Sequence, residues 1–581
     1  MTSPDRSSWL GLASFAFILV IAGVIYLGVR RPSSHAPPPP PTPIGRDRVT
    51  PIRDDVEDLV YALEDMFETQ RTAMVQFAPD QATALYTGDF AGDVFFDDAP
   101  WTDDLTLPHA RTAARAATPG ARPDLAKLAR AFLARFDSID AITYKFDGLD
   151  APQGDEVRGI TKVTFVGRKD GLPTEIFERY DAVFRRVAGA WKVASLKRSR
   201  ATLKQGTRPV FVDATRALGL DVLPGVDCHW CSYDLPQIHN GGLAAGDYDG
   251  DGDLDLFVTR LGQSLLMRND GGRFADATAG SGLERKAAAA GALWLDVDND
   301  GDLDLLVTAA CQPGDCSDGC ALALYRNDGG GRFTDVTEKA LGRRRGPATS
   351  ACAADVDGDG DLDLFVAMYG EPKKVESTSQ KVFTRSYVRA RDGVPDLLFI
   401  NKGDGTFEER GAKAGVADTG WGFACVFFDA DGNGAPDLYV VNDFGEHVFF
   451  RNRGDGTFED ATSKLGVRDV GFGMGASLGD YDRDGDVDLY VSNMYSTAGN
   501  RILKKSPEIP EDLRRRLLKM AQGNSMLRNN GDGTFAEVGV ETGTNSAGWA
   551  WGNPFLDYDE DGWPDLYVAN GFSSGRARKD L

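Results

Sequence analysis

The sequence predicts a mainly β protein: a β-propeller of six repeat units forming six or seven blades, preceded by a transmembrane helix and a small α+β domain. Three observations point there. The alternating aspartates of "GDYDGDGDLDLFV" (Gly246–Val258) return at Asp296, Asp355, Asp429, Asp480 and Asp557, spaced 49, 59, 74, 51 and 77 residues apart. Self-similarity at such periods marks stacked supersecondary units. Each aspartate run leads into an apolar "DLFV" or "DLYV", then a phrase such as "LLMRNDGGRF", then Phe-x-Asp-x-Thr, which together give the four short strands of a blade. Gly occurs 67 times, mostly beside Asp and Asn, as a chain of many tight turns requires.

The elements follow in order. Trp9–Val29 is an uncharged run of about 21 residues, long enough to span a bilayer, and residues 1–30 read as an uncleaved membrane anchor. A cleaved signal ending near Ala36 is the alternative, disfavoured by Pro37. Arg30 and Arg31 after the span outweigh Arg6 before it, which by itself leans towards a cytoplasmic body. Residues 31–48 form a Pro-rich linker containing "PPPPPTP" (Pro37–Pro43), a stiff spacer.

Residues 49–205 read as the α+β domain. Val56–Phe67 and Pro123–Phe136 have helical periodicity, and "AITYKFDGL", "VRGITKVTFVGR", "EIFERYDAVFRRV" and "AWKVASLKRSRATL" alternate as the strands of an antiparallel meander. This order resembles the nuclear-transport-factor-2-like fold, a curved sheet wrapped around a helix. No acid–base pair stands out there, and a spacer or assembly role is the expectation.

Residues 209–581 hold the repeats. Strand A enters each aspartate run, "DLDLFV" supplies strand B, "LLMRN" strand C, and Phe-x-Asp-x-Thr strand D. The units resemble the FG-GAP or VCBS repeats of the integrin α-subunit N-terminal type of propeller. Phrases such as "VVNDFGEHVFFRN" and "VSNMYSTAGNRI" are similar to those of bacterial relatives of cartilage acidic protein. The sixth unit stops after strand B; a strand at Val210–Thr215 is one candidate to close that blade, the alternatives being a blade lacking strand C or a further downstream segment.

The repeated motif is D-x-D-x-[DN]-G-x-x-D. Position 1 is Asp247, Asp296, Asp355, Asp429, Asp480 and Asp557; position 3 is Asp249, Asp298, Asp357, Asp431, Asp482 and Asp559. Position 5 is Asp251, Asp300, Asp359, Asn433, Asp484 and Asp561, and position 9 is Asp255, Asp304, Asp363, Asp437, Asp488 and Asp565. Position 7 is free: Asp253, Asp302, Asp361 and Asp486, but Ala435 and Trp563 in the fourth and sixth copies. This is the order of an EF-hand loop, in which positions 1, 3 and 5 offer side-chain oxygens and position 7 its carbonyl. Here position 9 would close the shell. An all-oxygen set selects Ca²⁺ over softer metals. About six Ca²⁺, mainly structural, would move the formal charge from −24 to about −12. Loops of this kind in extracellular modules fill at roughly 0.1–1 mM. That outweighs the flanking arginines and places the body outside the cytoplasm, in a periplasm or at a cell surface. The same net charge excludes nucleic acid as a partner, which needs clustered Lys and Arg.

The long insertions all fall on the side opposite these loops. They are "CQPGDCSDGC" (Cys311–Cys320), Gly370–Asp396 with Lys373, Lys374, Lys381, Arg385, Arg389 and Arg391, and a helix expected over Pro510–Gln522. The Cys228–His239 connection joins them. Cys228 and Cys231 read as a structural disulfide, a redox pair, or a metal site with His229 and His239, the first being favoured. Cys352 and Cys425 are expected as buried thiols in A strands. "GASLG" (Gly475–Gly479) matches a nucleophile elbow at Ser477, but sits in an A strand and lacks the strand–turn–helix setting. The function expected is a membrane-anchored adhesion module for an unidentified protein or glycan, not an enzyme. The alternatives are a cell-envelope hydrolase or lyase acting on that far side, or a purely structural envelope component.

Overall fold

A computed structural model describes residues 130–206 and 214–570 apart from internal segments, the longest being 223–241 and 310–321, together with parts of 63–114. The expected anchor and linker and the candidate closing strand fall outside these residues, except that Ala214 is outside any strand and Thr215 lies in a turn. So do Cys228, Cys231, His229, His239, Cys311, Cys316, Cys320 and Arg385. Among the described residues no helix is long and apolar enough to cross a membrane. The chain divides into two compact units at Asp213/Ala214.

The first unit is a seven-stranded sheet with helical residues against it. Four long strands, Ser138–Leu149, Glu156–Lys169, Leu172–Val187 and Ala190–Gly206, form the expected antiparallel meander. Their alternating apolar residues place Val163, Phe165, Ile176, Tyr180 and Phe184 on one face, where Phe67 and Phe132 from the helical stretches pack on them. Two features were not expected. A hairpin, Thr102–Leu107 with Ala110–Ala114, extends the sheet beyond Ala190–Gly206. Tyr86–Gly92 also runs parallel to that last strand. A buried polar group lies within the apolar face: the Tyr180 hydroxyl donates to Glu178 Oε2 at 2.6 Å, and Arg198 Nε stands 3.5 Å from Glu178 Oε1. Arg198 is 3% exposed and Glu178 1%. Burial, and then the Glu178 charge, raises the Tyr180 phenol well above its ordinary range.

The second unit contains five four-stranded antiparallel sheets, each with its strands in the expected A–B–C–D order, and a sixth pair, Phe555–Leu556 with Asp565–Leu566. The A strands, from Leu243–Gly246 to Phe555–Leu556, lie side by side from one sheet to the next. Small residues permit this: a Cβ on Gly246 would meet the Trp294 ring at 2.9 Å, and one on Gly479 the Phe555 ring at 2.7 Å. Cys352 and Cys425 sit in neighbouring A strands, and burial raises the Cys352 thiol well above its ordinary range.

The Phe-x-Asp-x-Thr phrase acts by hydrogen bonding. In "FADAT" the Asp276 carboxylate accepts the Thr278 N–H, and the Thr278 hydroxyl accepts the N–H of Leu266 in strand C. The pattern repeats at Asp335/Thr337 and at Asp460/Thr462. Short helices then follow at Gly411–Ala414 and Gly539–Thr542, stopped by Gly415 and Gly543 at φ +86° and +75°, a left-handed cap that glycine adopts without strain.

Candidate metal centre

Each A strand runs into its aspartate loop, and the carboxylates shape the loop by taking its own backbone N–H groups. Asp247 accepts from Asp251 N at 3.1 Å and Gly252 N at 2.9 Å, while Asp251 accepts from Asp253 N at 2.9 Å. The same bonds recur in all six copies, through to Asp557 with Asp561 and Gly562, and Asp561 with Trp563. Gly252 at position 6 has φ +95°, the sharp turn the motif implies. Position-7 side chains point to other work: Asp253 accepts the Gly271 N–H, and Asp361 accepts from the Asn299 side chain.

Position 9 anchors the loop to the sheet. The fully buried Asp255 accepts the N–H of Tyr248 with one oxygen and of Asn269 with the other, at 3.2 and 2.7 Å. Asp304, Asp363, Asp437 and Asp488 bridge equivalent pairs. Burial pushes Asp255, Asp304, Asp437 and Asp488 up to about 6 and Asp363 to about 7, against these backbone bonds.

The structure gathers carboxylate oxygens within 4.8 Å of one another in five copies. These are Asp247/Asp249/Asp251, Asp296/Asp298/Asp300, Asp355/Asp357/Asp359, Asp480/Asp482/Asp488 and Asp557/Asp559/Asp565. Position 3 tests whether a cation fits. Oδ1 of Asp249, Asp298, Asp357 and Asp482 is buried with no hydrogen-bond donor. Burial, then neighbouring carboxylates, raises each of these acids. A buried carboxylate oxygen without a partner is costly, and a hard cation is the partner its chemistry accepts. The oxygen set therefore fits Ca²⁺, which these residues would hold while supplying its charge balance. The fourth copy is different: Asp431 Oδ2 is 2.6 Å from Arg451 Nη1.

A second repeated feature was missed in the sequence. The last residue of each C strand is a buried Asn; Asn269 donates to Leu254 O of its own loop, and from the second repeat on the side-chain N–H₂ reaches back to the preceding repeat's loop, to the residue after position 1. Asn327 donates to Tyr248 O at 2.8 Å, Asn401 to Val297 O at 2.9 Å, Asn452 to Val356 O at 2.9 Å and Asn529 to Ala430 O at 3.0 Å. The C–D turn of the following repeat also lies over the loop: Cβ atoms on Gly405 and Gly456 would meet Asp298 at 3.4 Å and Asp357 at 3.2 Å. Each such loop is thus completed by the next repeat. Replacing Asn401 by Ala removes bonds to Val297 O, Leu362 O and the Gly403 N–H. Denaturant unfolding should show a loss of about 2 kcal/mol, the magnitude of uncoupled buried polar groups.

On the side away from the loops, three connections meet. Helix Glu511–Met520, within the expected Pro510–Gln522, packs Met520 and Leu517 against Val388 of the third-repeat insertion and Val470 and Phe472 of the following connection. Leu513, on the same helix, is exposed. Arg389 stands 3.9 Å from Asp512, and Glu446 takes Arg468 and Arg516. Lys373–Lys374 pairs with Lys381–Val382 in a short ladder, and Arg391 pairs with Asp418. Beside them Tyr369, Trp421, Phe423, Phe444, Phe472 and Trp551 make a chain of ring contacts, with Phe423, Phe444, Phe472 and Trp551 half-buried. Asp443 enters this cluster, accepting from the Tyr369 hydroxyl, and burial pushes its carboxyl up to about 7. The Ser477 hydroxyl donates to Asn553 O at 2.6 Å from within strand Gly475–Gly479.

Fold and loops together define a tandem β-sheet repeat protein with acidic A–B loops locked by the neighbouring unit. The chain is an FG-GAP repeat protein: the FG-GAP-like repeat model matches residues 247–307, 311–366, 387–440, 429–491 and 518–568. It is related to human cartilage acidic protein 1, at 26% identity over 313 residues, covering 50% of this chain and 43% of that protein. The chain spans less than half the length of the curated relatives it matches. Similar solved structures include an Agrocybe aegerita lectin studied for recognition of non-reducing terminal N-acetylglucosamine (17% identity, 72% of this chain, 85% of that chain, TM-score 0.30). Another is a hexachlorocyclohexane dehydrochlorinase from Novosphingobium barchaimii (16% identity, 25% of this chain, 90% of that chain, TM-score 0.17).

Proposed function

We propose that this chain is a calcium-stabilised β-propeller, anchored through residues 9–29 with its body outside the cytoplasm, that binds a protein or glycan on the side opposite the aspartate loops. The side-by-side A strands support successive packing of the six units, which we read as the blades of one ring. Partner-less buried oxygens at Asp249, Asp298, Asp357 and Asp482 support Ca²⁺, and with it a compartment where calcium is plentiful. The observation that carries the binding reading is the meeting of insertions from separate repeats around half-buried aromatic rings. Long loops on a rigid scaffold are where recognition concentrates, and aromatic faces suit both sugar and protein partners. With Ser477 held to a backbone carbonyl, the chain is read as a binder and not a hydrolase.

The test is to probe arrays of glycans and of matrix proteins with the full chain in millimolar calcium. A ligand retained by wild type and lost at least tenfold in Phe472→Ala or Trp551→Ala supports the site. Turnover of any captured glycan, or binding indifferent to both substitutions, would count against it.

A further inference from the structure

We propose that Arg451 takes the place of the cation in the fourth loop, so that Asp429–Asp437 binds no calcium while other loops do. The proposal rests on reading those loops as calcium sites. Its starting point is the contrast at position 3. Asp249, Asp298, Asp357 and Asp482 each keep a buried oxygen without a donor, whereas Asp431 is met by Arg451 at 2.6 Å. Arg451 also donates from Nη2 to Gly533 O, in the turn the fifth repeat lays over this loop. A guanidinium is permanently charged and forks between a carboxylate and a carbonyl, two oxygens of the kind a hard cation would otherwise collect. The five gathered carboxylate sets do not include this copy.

Why it happens here is written two residues further on. The end of strand C and the residue after it read "RND" in the first and second repeats but "RNR" in the fourth. Arg268 is held by Asp270 at 2.9 Å and Arg326 by Asp328, and the position-3 oxygens of Asp249 and Asp298 keep no donor. Arg453 offers no such carboxylate, and Arg451 falls on Asp431 instead. The third repeat has Ile400 at this point, and the fifth has Arg528 beside an Asp482 that keeps its unpartnered oxygen. The fourth loop also offers the weakest pull on a cation. Asn433 and Ala435 leave it three carboxylates, Asp429, Asp431 and Asp437, where the fifth has five.

Calcium bound per full-length chain is counted after equilibrium dialysis, with thermal unfolding confirming that each variant is folded. Arg451→Gln should gain one ion relative to wild type. So should Arg453→Asp, which restores the "RND" context and leaves Arg451 in place. Asp431→Asn should leave the wild-type count unchanged, while Asp249→Asn, at the same position of the first loop, should lose one. Loss of an ion in Asp431→Asn, or no gain in either arginine variant, overturns the assignment while the calcium reading stands. A wild-type count of zero overturns both.

Discussion

Removing calcium from the full chain with a chelator is expected to abolish the unfolding transition of the repeat unit or to lower its midpoint by well over 10 °C, while the transition of the first unit stays in place. Each filled loop contributes roughly 2.7 kcal/mol when free calcium is about 100 times its Kd. The four loops with a buried, donor-less oxygen, at Asp249, Asp298, Asp357 and Asp482, would together contribute about 11 kcal/mol. That rivals the whole stability of an ordinary domain, about 5–15 kcal/mol. The loss is not only of ion binding. Carboxylates already crowded and desolvated would face one another without a counter-charge, and the loops also support the asparagine contacts between repeats. Calorimetry with and without chelator, with bound metal counted, is the measurement. Near-zero bound calcium at millimolar supply and an unmoved midpoint would leave the loops as acidic turns and reopen a cytoplasmic placement.

The second large effect is expected in the first unit. Arg198→Met should destabilise it by about 3–5 kcal/mol, the range for stranding one member of a buried ion pair. Glu178 and Arg198 lie within an apolar face, with Tyr180 hydrogen-bonded between them. Removing the guanidinium leaves a desolvated carboxylate that must either stay charged or take up a proton. The double variant Glu178→Leu with Arg198→Met should recover much of the loss, because an apolar pair of similar volume often matches a buried salt bridge. Denaturant unfolding decides the matter. A single-variant loss under about 1 kcal/mol would show that the pair is worth no more than a surface one.

Periodicity made most of the second unit legible. The A–D strand phrases fell where expected, because each strand is bounded by turn residues whose chemistry is local. The aspartate loops were legible for the same reason: their bonds span only two to five residues. What escaped is long-range. The hairpin "TDDLTL"/"ARTAA" has little β-forming character of its own and owes its place to pairing with residues 202–206. The parallel strand Tyr86–Gly92 pairs with Val193–Leu196, about a hundred residues on, without any local signal. The Asn that ends strand C was plainly repeated, but its partners lie 79 to 104 residues earlier, in another repeat. One miss had a readable cue. In "EIFERYDAVF" Glu178 is in phase with Ile176, Tyr180, Ala182 and Phe184, so its burial, and hence its need for a cation such as Arg198, followed from strand period alone.

The backward reach of the asparagines gives assembly a direction. A chain emerging from its N-terminus always has, at its growing end, one acidic loop still waiting for the Asn and the turn that finish it. The loops at Asp247, Asp296, Asp355 and Asp429 can thus be completed only once the repeat that follows each has been made. A break at any sheet boundary would leave the unit before it exposed, although its own sequence was intact.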